Sequence, residues 1–139
     1  MPFTPQEQAY LRSQRIGRLA TAAPDGTLQV NPVGFVSNPE TGTIDIGGFR
    51  MSTSRKFCNV ADNGRAAFVV DDVVSVDPWR VRCLDIRGWA EAIAASAPRA
   101  NAAEVDLALI RLHPRRIITF GLDEPDVEPH RLTPHSRTA

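Results

Sequence analysis

Apolar and polar residues alternate along most of this chain, and helical spacing is confined to short stretches. Thr4-Pro5-Gln6-Glu7 has the form of a capping box with proline at the first helical position. It predicts a helix to about Ser13 that buries Tyr10 and Leu11. Residues 16–22 alternate loosely, as a strand does. The turn residues Pro24-Asp25-Gly26-Thr27 send the chain back into a second strand over 28–36, so the two form a hairpin. Pro32 has no N–H to give a ladder, which places it at a sheet edge or a bulge. After the turn Asn38-Pro39-Glu40-Thr41-Gly42, residues 43–47 form a third strand with Ile44 and Ile46 on one face.

A second helix follows. Ser52, Thr53 and Ser54 are all good N-caps, Phe57, Val60 and Ala61 recur at helical spacing, and Asn63-Gly64 stops the run. Residues 66–70 are a compact apolar strand ending at Asp71-Asp72, and 73–79 read as a less regular connection. Residues 80–92 form a long strand with one wet face. The Ala-rich segment 94–106 reads as a loop with a weak helix. A strand over 107–113 resumes over 117–122 after a break at Pro114-Arg115-Arg116. There are no internal repeats. Short strands, two small helices and Gly/Pro turns predict a small β-barrel over residues 1–123, with 124–139 as an extended C-terminal tail.

Composition narrows the function. A chain of 139 residues predicts one domain. Sixteen basic and sixteen acidic residues cancel, which argues against a general nucleic-acid binder and makes any anion site local. No apolar run approaches the roughly 18 residues of a membrane span, and the first residues lack a charged leader with an apolar core. Cys58 and Cys83 have neither zinc-site nor disulfide spacing, so the expectation is a cytoplasmic protein with reduced thiols.

Lys56 is the single lysine among those sixteen basic residues. It follows Ser52-Thr53-Ser54-Arg55 at a helix start, where unpaired N–H groups and the positive end of the helix dipole favour an anion. Hydroxyls, a guanidinium fork and a compact ammonium together form a phosphate cradle. Such hydroxyls usually serve only as caps. The two cations are different, because they oppose the dipole and call for a counter-charge.

Thr53-Ser54-Arg55-Lys56, followed by Asn59, Asn63, Arg65 and an apolar strand, resembles the pyridoxamine-phosphate-oxidase-like split-barrel superfamily. Thr43-Ile44-Asp45-Ile46-Gly47-Gly48, Val69-Val70-Asp71-Asp72, Asp77-Pro78-Trp79-Arg80-Val81-Arg82 and the run from Ile110 to Ile117 resemble its branch that uses the deazaflavin coenzyme F-420. The resemblance spans roughly residues 4–123. It implies a mainly β, six-stranded, Greek-key split barrel with short flanking helices, which dimerises and holds its cofactor between two subunits. By the same resemblance, Ser54, Arg55 and Lys56 hold the phosphate with Ser52 and Thr53 beside them. The ring lies along Asn31, Pro32 and Val33, and Trp79 and Arg80 reach the groove from the facing chain. Arg50 is a further candidate for the cofactor's acidic tail.

The implied activity is hydride transfer from F-420 to a small, conjugated organic substrate, with no catalytic side chain assigned. FMN in the same cradle is the alternative cofactor. A non-catalytic carrier of flavin, deazaflavin or haem is the rival of another class. Haem would need an axial ligand, for which His113 is the candidate outside the tail. Asp71-Asp72 reads as a solvated strand end, and no metal site is expected.

Overall fold

The computed structural model describes residues 2–94 and 107–139. The weak helix expected within 94–106 lies almost wholly outside them. Two α-helices, α1 (Pro5–Ser13) and α2 (Arg55–Asn63), accompany eight strands among the described residues: β1 (Ile16–Ala22), β2 (Leu28–Gly34), β3 (Val36–Asn38), β4 (Thr43–Ile46), β5 (Arg65–Val76), β6 (Trp79–Ile93), β7 (Leu109–Phe120) and β8 (His135–Thr138). The capping box at α1 is present in full: Glu7 N–H donates to the Thr4 hydroxyl, and Thr4 N–H donates to the Glu7 carboxylate.

All pairings are antiparallel, in the order β2-β1-β5-β6-β7-β4-β3, with β8 added against β7. β2 and β3 stand at opposite ends of this path, yet only Phe35 separates them in the chain. The sheet must therefore curl until its ends meet, which closes a barrel without a hydrogen-bonded seam. Phe35 packs its ring edge-on against Phe68 inside that closure, with centroids 5.1 Å apart. Alternate residues point inward: Leu19, Ile44, Ile46, Phe68, Val70, Leu84, Ile86, Ile110, Leu112 and Ile117 are all fully buried.

Three expectations need correction. The sheet has eight strands among the described residues, not six, because the segment 28–36 divides at Phe35 and the tail contributes β8. β5 does not end at Asp71-Asp72 but runs to Val76, so 73–79 is the tip of a long β5–β6 hairpin. The two acids stay in the strand because both are paired: Asp71 with Arg18 at 2.8 Å, and Asp72 with the Arg82 fork at 2.7 and 3.0 Å. Finally, Pro114 does not break β7. A bulge absorbs it, with Gly88 opposite Pro114 and Arg87 opposite Arg116, leaving Arg115 as the extra residue. Gly88 makes this possible, since a Cβ there would sit 2.0 Å from the His113 carbonyl oxygen.

Two of the outward carboxylates carry pH dependence. Hydrogen bonds from Arg82, then Tyr10, hold Asp72 below its ordinary range against the opposing effect of burial. Burial pushes Asp45 up, but bonds from Arg111, Asn38 and Thr43 outweigh it and the net shift is downward. A depressed carboxylate contributes its stability in full above the unfolded pKa of about 3.9 and loses it as pH falls toward the folded value. Urea midpoints are therefore expected to be flat from about pH 7 to pH 5 and to fall below about pH 4. Arg82→Met should make that fall shallower, and an unchanged acid limb would remove Asp72 from the account.

Candidate functional site

Helix α2 is built around one residue, Ser54. Its Oγ accepts from the Phe57 N–H at 3.3 Å and donates to the Met51 carbonyl at 2.7 Å. The first bond caps α2, and the second ties the cap to the preceding one-turn 3-10 helix Met51–Thr53. Gly64, left-handed at φ 69°, ends the helix with its N–H on the Val60 carbonyl. The cap accounts for the third N–H of the helix, so the N–H groups of Arg55 and Lys56 have no partner among the described residues.

Lys56 is half-buried and Arg55 exposed. Neither side chain has a hydrogen bond or ion pair among the described residues. No acidic residue lies in the first turn of α2. Two cations, and two N–H groups without a partner among the described residues, thus share the positive end of α2 with no acid in its first turn, which fits an anionic group of phosphate type. Ser52 and Thr53 are exposed beside them, and the Thr53 hydroxyl donates to the Arg50 carbonyl at 3.1 Å.

The structure joins this cradle to β2 through a residue that the sequence reading did not assign. Asn59, one helical turn beyond Lys56, is 1% exposed. Its amide donates to the Thr21 hydroxyl at 3.1 Å and to the Gln29 side-chain carbonyl at 3.3 Å. Gln29 in turn donates to the Asn31 Oδ1 at 2.6 Å. Asn59 Oδ1 is buried and has no hydrogen-bond partner among the described residues. This relay of amides fixes where α2 stands relative to Asn31, Pro32 and Val33. The available signal was a polar side chain at 59 between the inward Phe57 and Val60.

Pro32 lies on the terminal strand of the sheet, opposite Arg18, so its missing N–H costs no ladder bond. Val33 is buried, Asn31 half-buried and Pro32 exposed. Trp79 and Arg80 are elsewhere, at the tip of the β5–β6 hairpin. Ala90, near the other end of β6, meets the end of α2 through its N–H to the Gly64 carbonyl at 2.8 Å. Trp79 is some 35 Å from there along the strand at about 3.3 Å per residue. Among the described residues, no hydrogen bond joins it or Arg80 to the cradle within one chain. Trp79 is 50% exposed, and Val73, Val74 and Val76 beside it are exposed as well.

A groove of about 360 Å³ crosses the outer sheet face between Leu28, Arg65 and Arg87, where Ala20, Ala22 and Ala67 leave the surface low. None of the sequence-assigned residues lines it. His113 is not a free ligand: its Nε2 is 2.7 Å from Glu91 and its ring stacks on Trp89 at 4.1 Å. Burial pushes the Cys83 thiol up to about 12, which makes it unreactive.

An antiparallel sheet curled into a barrel that is split along one side, with only short helices outside it, defines the split-barrel class. The chain belongs to the pyridoxamine 5'-phosphate oxidase family, whose model matches residues 3–121. It is 48% identical over 123 residues to the 5a,11a-dehydrotetracycline/5a,11a-dehydrooxytetracycline reductase of Streptomyces rimosus, covering 88% of this chain and 86% of that protein. A conserved hypothetical protein of Mycobacterium tuberculosis superposes with a TM-score of 0.68 at 19% identity, covering 90% and 89% of the two chains. An F420 reductase superposes with a TM-score of 0.56 at 24% identity, covering 80% of this chain and 95% of its own. At these identities the structural likenesses establish the fold.

Proposed function

We propose that this protein is a reductase that uses the deazaflavin coenzyme F-420 to saturate a carbon–carbon double bond conjugated to a carbonyl. The observation that carries the reading is the uncompensated pair Arg55 and Lys56 at the capped start of α2, locked through Asn59 to the edge strand. It is supported by the 48% identity to a reductase of dehydrotetracyclines. When bound, the deazaflavin supplies hydride chemistry at a ring carbon.

The chain's own part is placement. Lys56, Arg55 and the first-turn N–H groups bind the phosphate, while Ser54 keeps that turn wound. Asn31, Pro32 and the backbone at Val33 would offer the ring a flat wall, Val33 itself being turned into the core, and Pro32 offers it no competing donor. Solvent water protonates the product, so no side chain is assigned as an acid. A second copy of the chain completes the groove, bringing Trp79 and Arg80 from its hairpin. The exposed Val73, Val74, Val76 and Trp79 supply apolar surface for that contact. The free thiols of Cys58 and Cys83 accord with a cytoplasmic setting.

Titration of the purified protein with F-420 and with FMN, followed by fluorescence, tests the cofactor. Reduced F-420 with a 5a,11a-dehydrotetracycline then tests the reaction. Binding of F-420 over FMN with turnover is the expected result. Preference for FMN would move the reaction to that cofactor. F-420 binding without turnover of any conjugated acceptor would make the protein a carrier.

A further inference from the structure

The segment between β4 and the cradle holds Phe49, to which the cofactor reading gives no role, and Arg50, which the resemblance offers as a candidate for the cofactor's acidic tail. Phe49 is 78% exposed, an aromatic ring presented to solvent. Arg50 has φ 55° and ψ 34°, the left-handed region. The other left-handed positions among the described residues, 26, 42, 64 and 121, are all glycine. A side chain held there costs on the order of 1 kcal/mol that glycine would not. The Arg50 guanidinium nevertheless has no hydrogen bond or ion pair among the described residues. A cost without an internal return points to a task outside the chain.

The loop is fastened at the end that meets the cradle. The Arg50 carbonyl accepts from the Thr53 N–H at 3.2 Å and from its hydroxyl at 3.1 Å, and Met51 is 1% exposed. Phe49 and Arg50 are therefore joined to the same turn that ends in Ser54, Arg55 and Lys56. On the other side stand Gly47 and Gly48. A Cβ would meet nothing within 4 Å at Gly47, and only the flexible end of Met51, at 3.8 Å, at Gly48. Sterics do not demand glycine at either position, and glycine leaves the backbone there a wider choice of conformations than any other residue.

We propose that Phe49 and Arg50 form a substrate clamp: the ring stacks on a planar, conjugated, fused-ring substrate and the guanidinium binds an ionised enol or carboxylate oxygen on it. A rigid aromatic face selects planar rings, and a planar fork of donors selects a charged oxygen pair. The clamp names the substrate class of the reductase proposed above and rests on that reading for its place beside the cofactor.

The test uses tetracycline itself, whose fused rings and acidic enol carry both features, as a fluorescent ligand with and without F-420. Wild-type protein should bind it. Phe49→Ala and Arg50→Gly should each weaken binding about tenfold or more, whereas Phe49→Trp should retain it. Arg50→Gly should at the same time raise Tm by about 3 °C as the left-handed strain is relieved. F-420 affinity should not change in either Phe49 variant, and its value in Arg50→Gly separates the clamp, which leaves it unchanged, from the reading in which Arg50 holds the cofactor's tail. Absence of tetracycline binding to wild type, unchanged affinity in both truncating variants, or an altered sedimentation coefficient would overturn the clamp. Loss of F-420 affinity in the same variants would also overturn it, by making the loop part of the cofactor site. Failure of the cofactor reading is separate: it would appear as wild-type protein that does not bind F-420.

Discussion

Lys56→Ala is expected to weaken F-420 binding roughly 5- to 150-fold, the loss of a charged hydrogen bond worth about 1–3 kcal/mol. The same substitution should leave the Tm of the cofactor-free protein unchanged or slightly raised. The two halves of this expectation have one cause. Lys56 lies in the first turn of α2, where a cation opposes the helix dipole by about 0.3–1 kcal/mol, and no described residue neutralises it. An ordinary structural lysine would behave in the opposite way, with a lower Tm and unchanged affinity. Because Lys56 is the chain's single lysine, an amine-reactive reagent reads its accessibility directly, apart from the N-terminal amine. Bound F-420 should protect it. Equal labelling rates with and without the cofactor would take Lys56 out of the site.

The second large effect concerns stability. Arg137, on β8, donates to both carboxylate oxygens of Glu7 and to the Pro2 carbonyl. Glu7 is 5% exposed and also completes the capping box of α1. Removing the guanidinium leaves a buried carboxylate facing no cation, a change that typically costs about 3–5 kcal/mol. The Arg137 side chain is 39% exposed, so water can partly replace it, and the lower end of that range, about 3 kcal/mol, is expected. Arg137→Ala should therefore lower Tm by roughly 10 °C. Glu7→Gln in the same background should recover part of the loss, because glutamine can still serve the capping box without a charge to solvate. If Arg137→Ala melts with the wild type, β8 is not a clamp on the N-terminal helix. Deletion of residues 134–139 reports on the same contact and should match the point variant.

The cradle and the clamp differ in how much of each could be read along the chain. Ser54, Arg55 and Lys56 are consecutive, and their chemistry follows from a cap and a helix start that need no distant partner. The same holds for the Thr4–Glu7 box and for Gly64 at the end of α2. Gln29 and Asn59 are thirty positions apart, and nothing local tells a buried amide which strand it will face. Asp71-Asp72 departs from its local signal for the same reason. Acids beside a turn signal normally end a strand, and only the β5–β6 register supplies Arg82 to keep Asp72 inside one. Pro114 has the local signature of a break, and the glycine that lets β7 pass it belongs to another strand.

By itself, then, the order of residues determined the short helices and their caps, most strands, the edge position of Pro32 and the cationic run at 55–56. These depend on neighbours within a turn or on the two-residue pleat. Tertiary structure alone decided that the sheet closes across Phe35, that Asn59 ties the cradle to β2, and that Arg137 locks the tail to Glu7. It alone showed Arg50 in a conformation that costs free energy. Each of these is set by long-range register and burial, where the energy comes from partners that no local pattern can name.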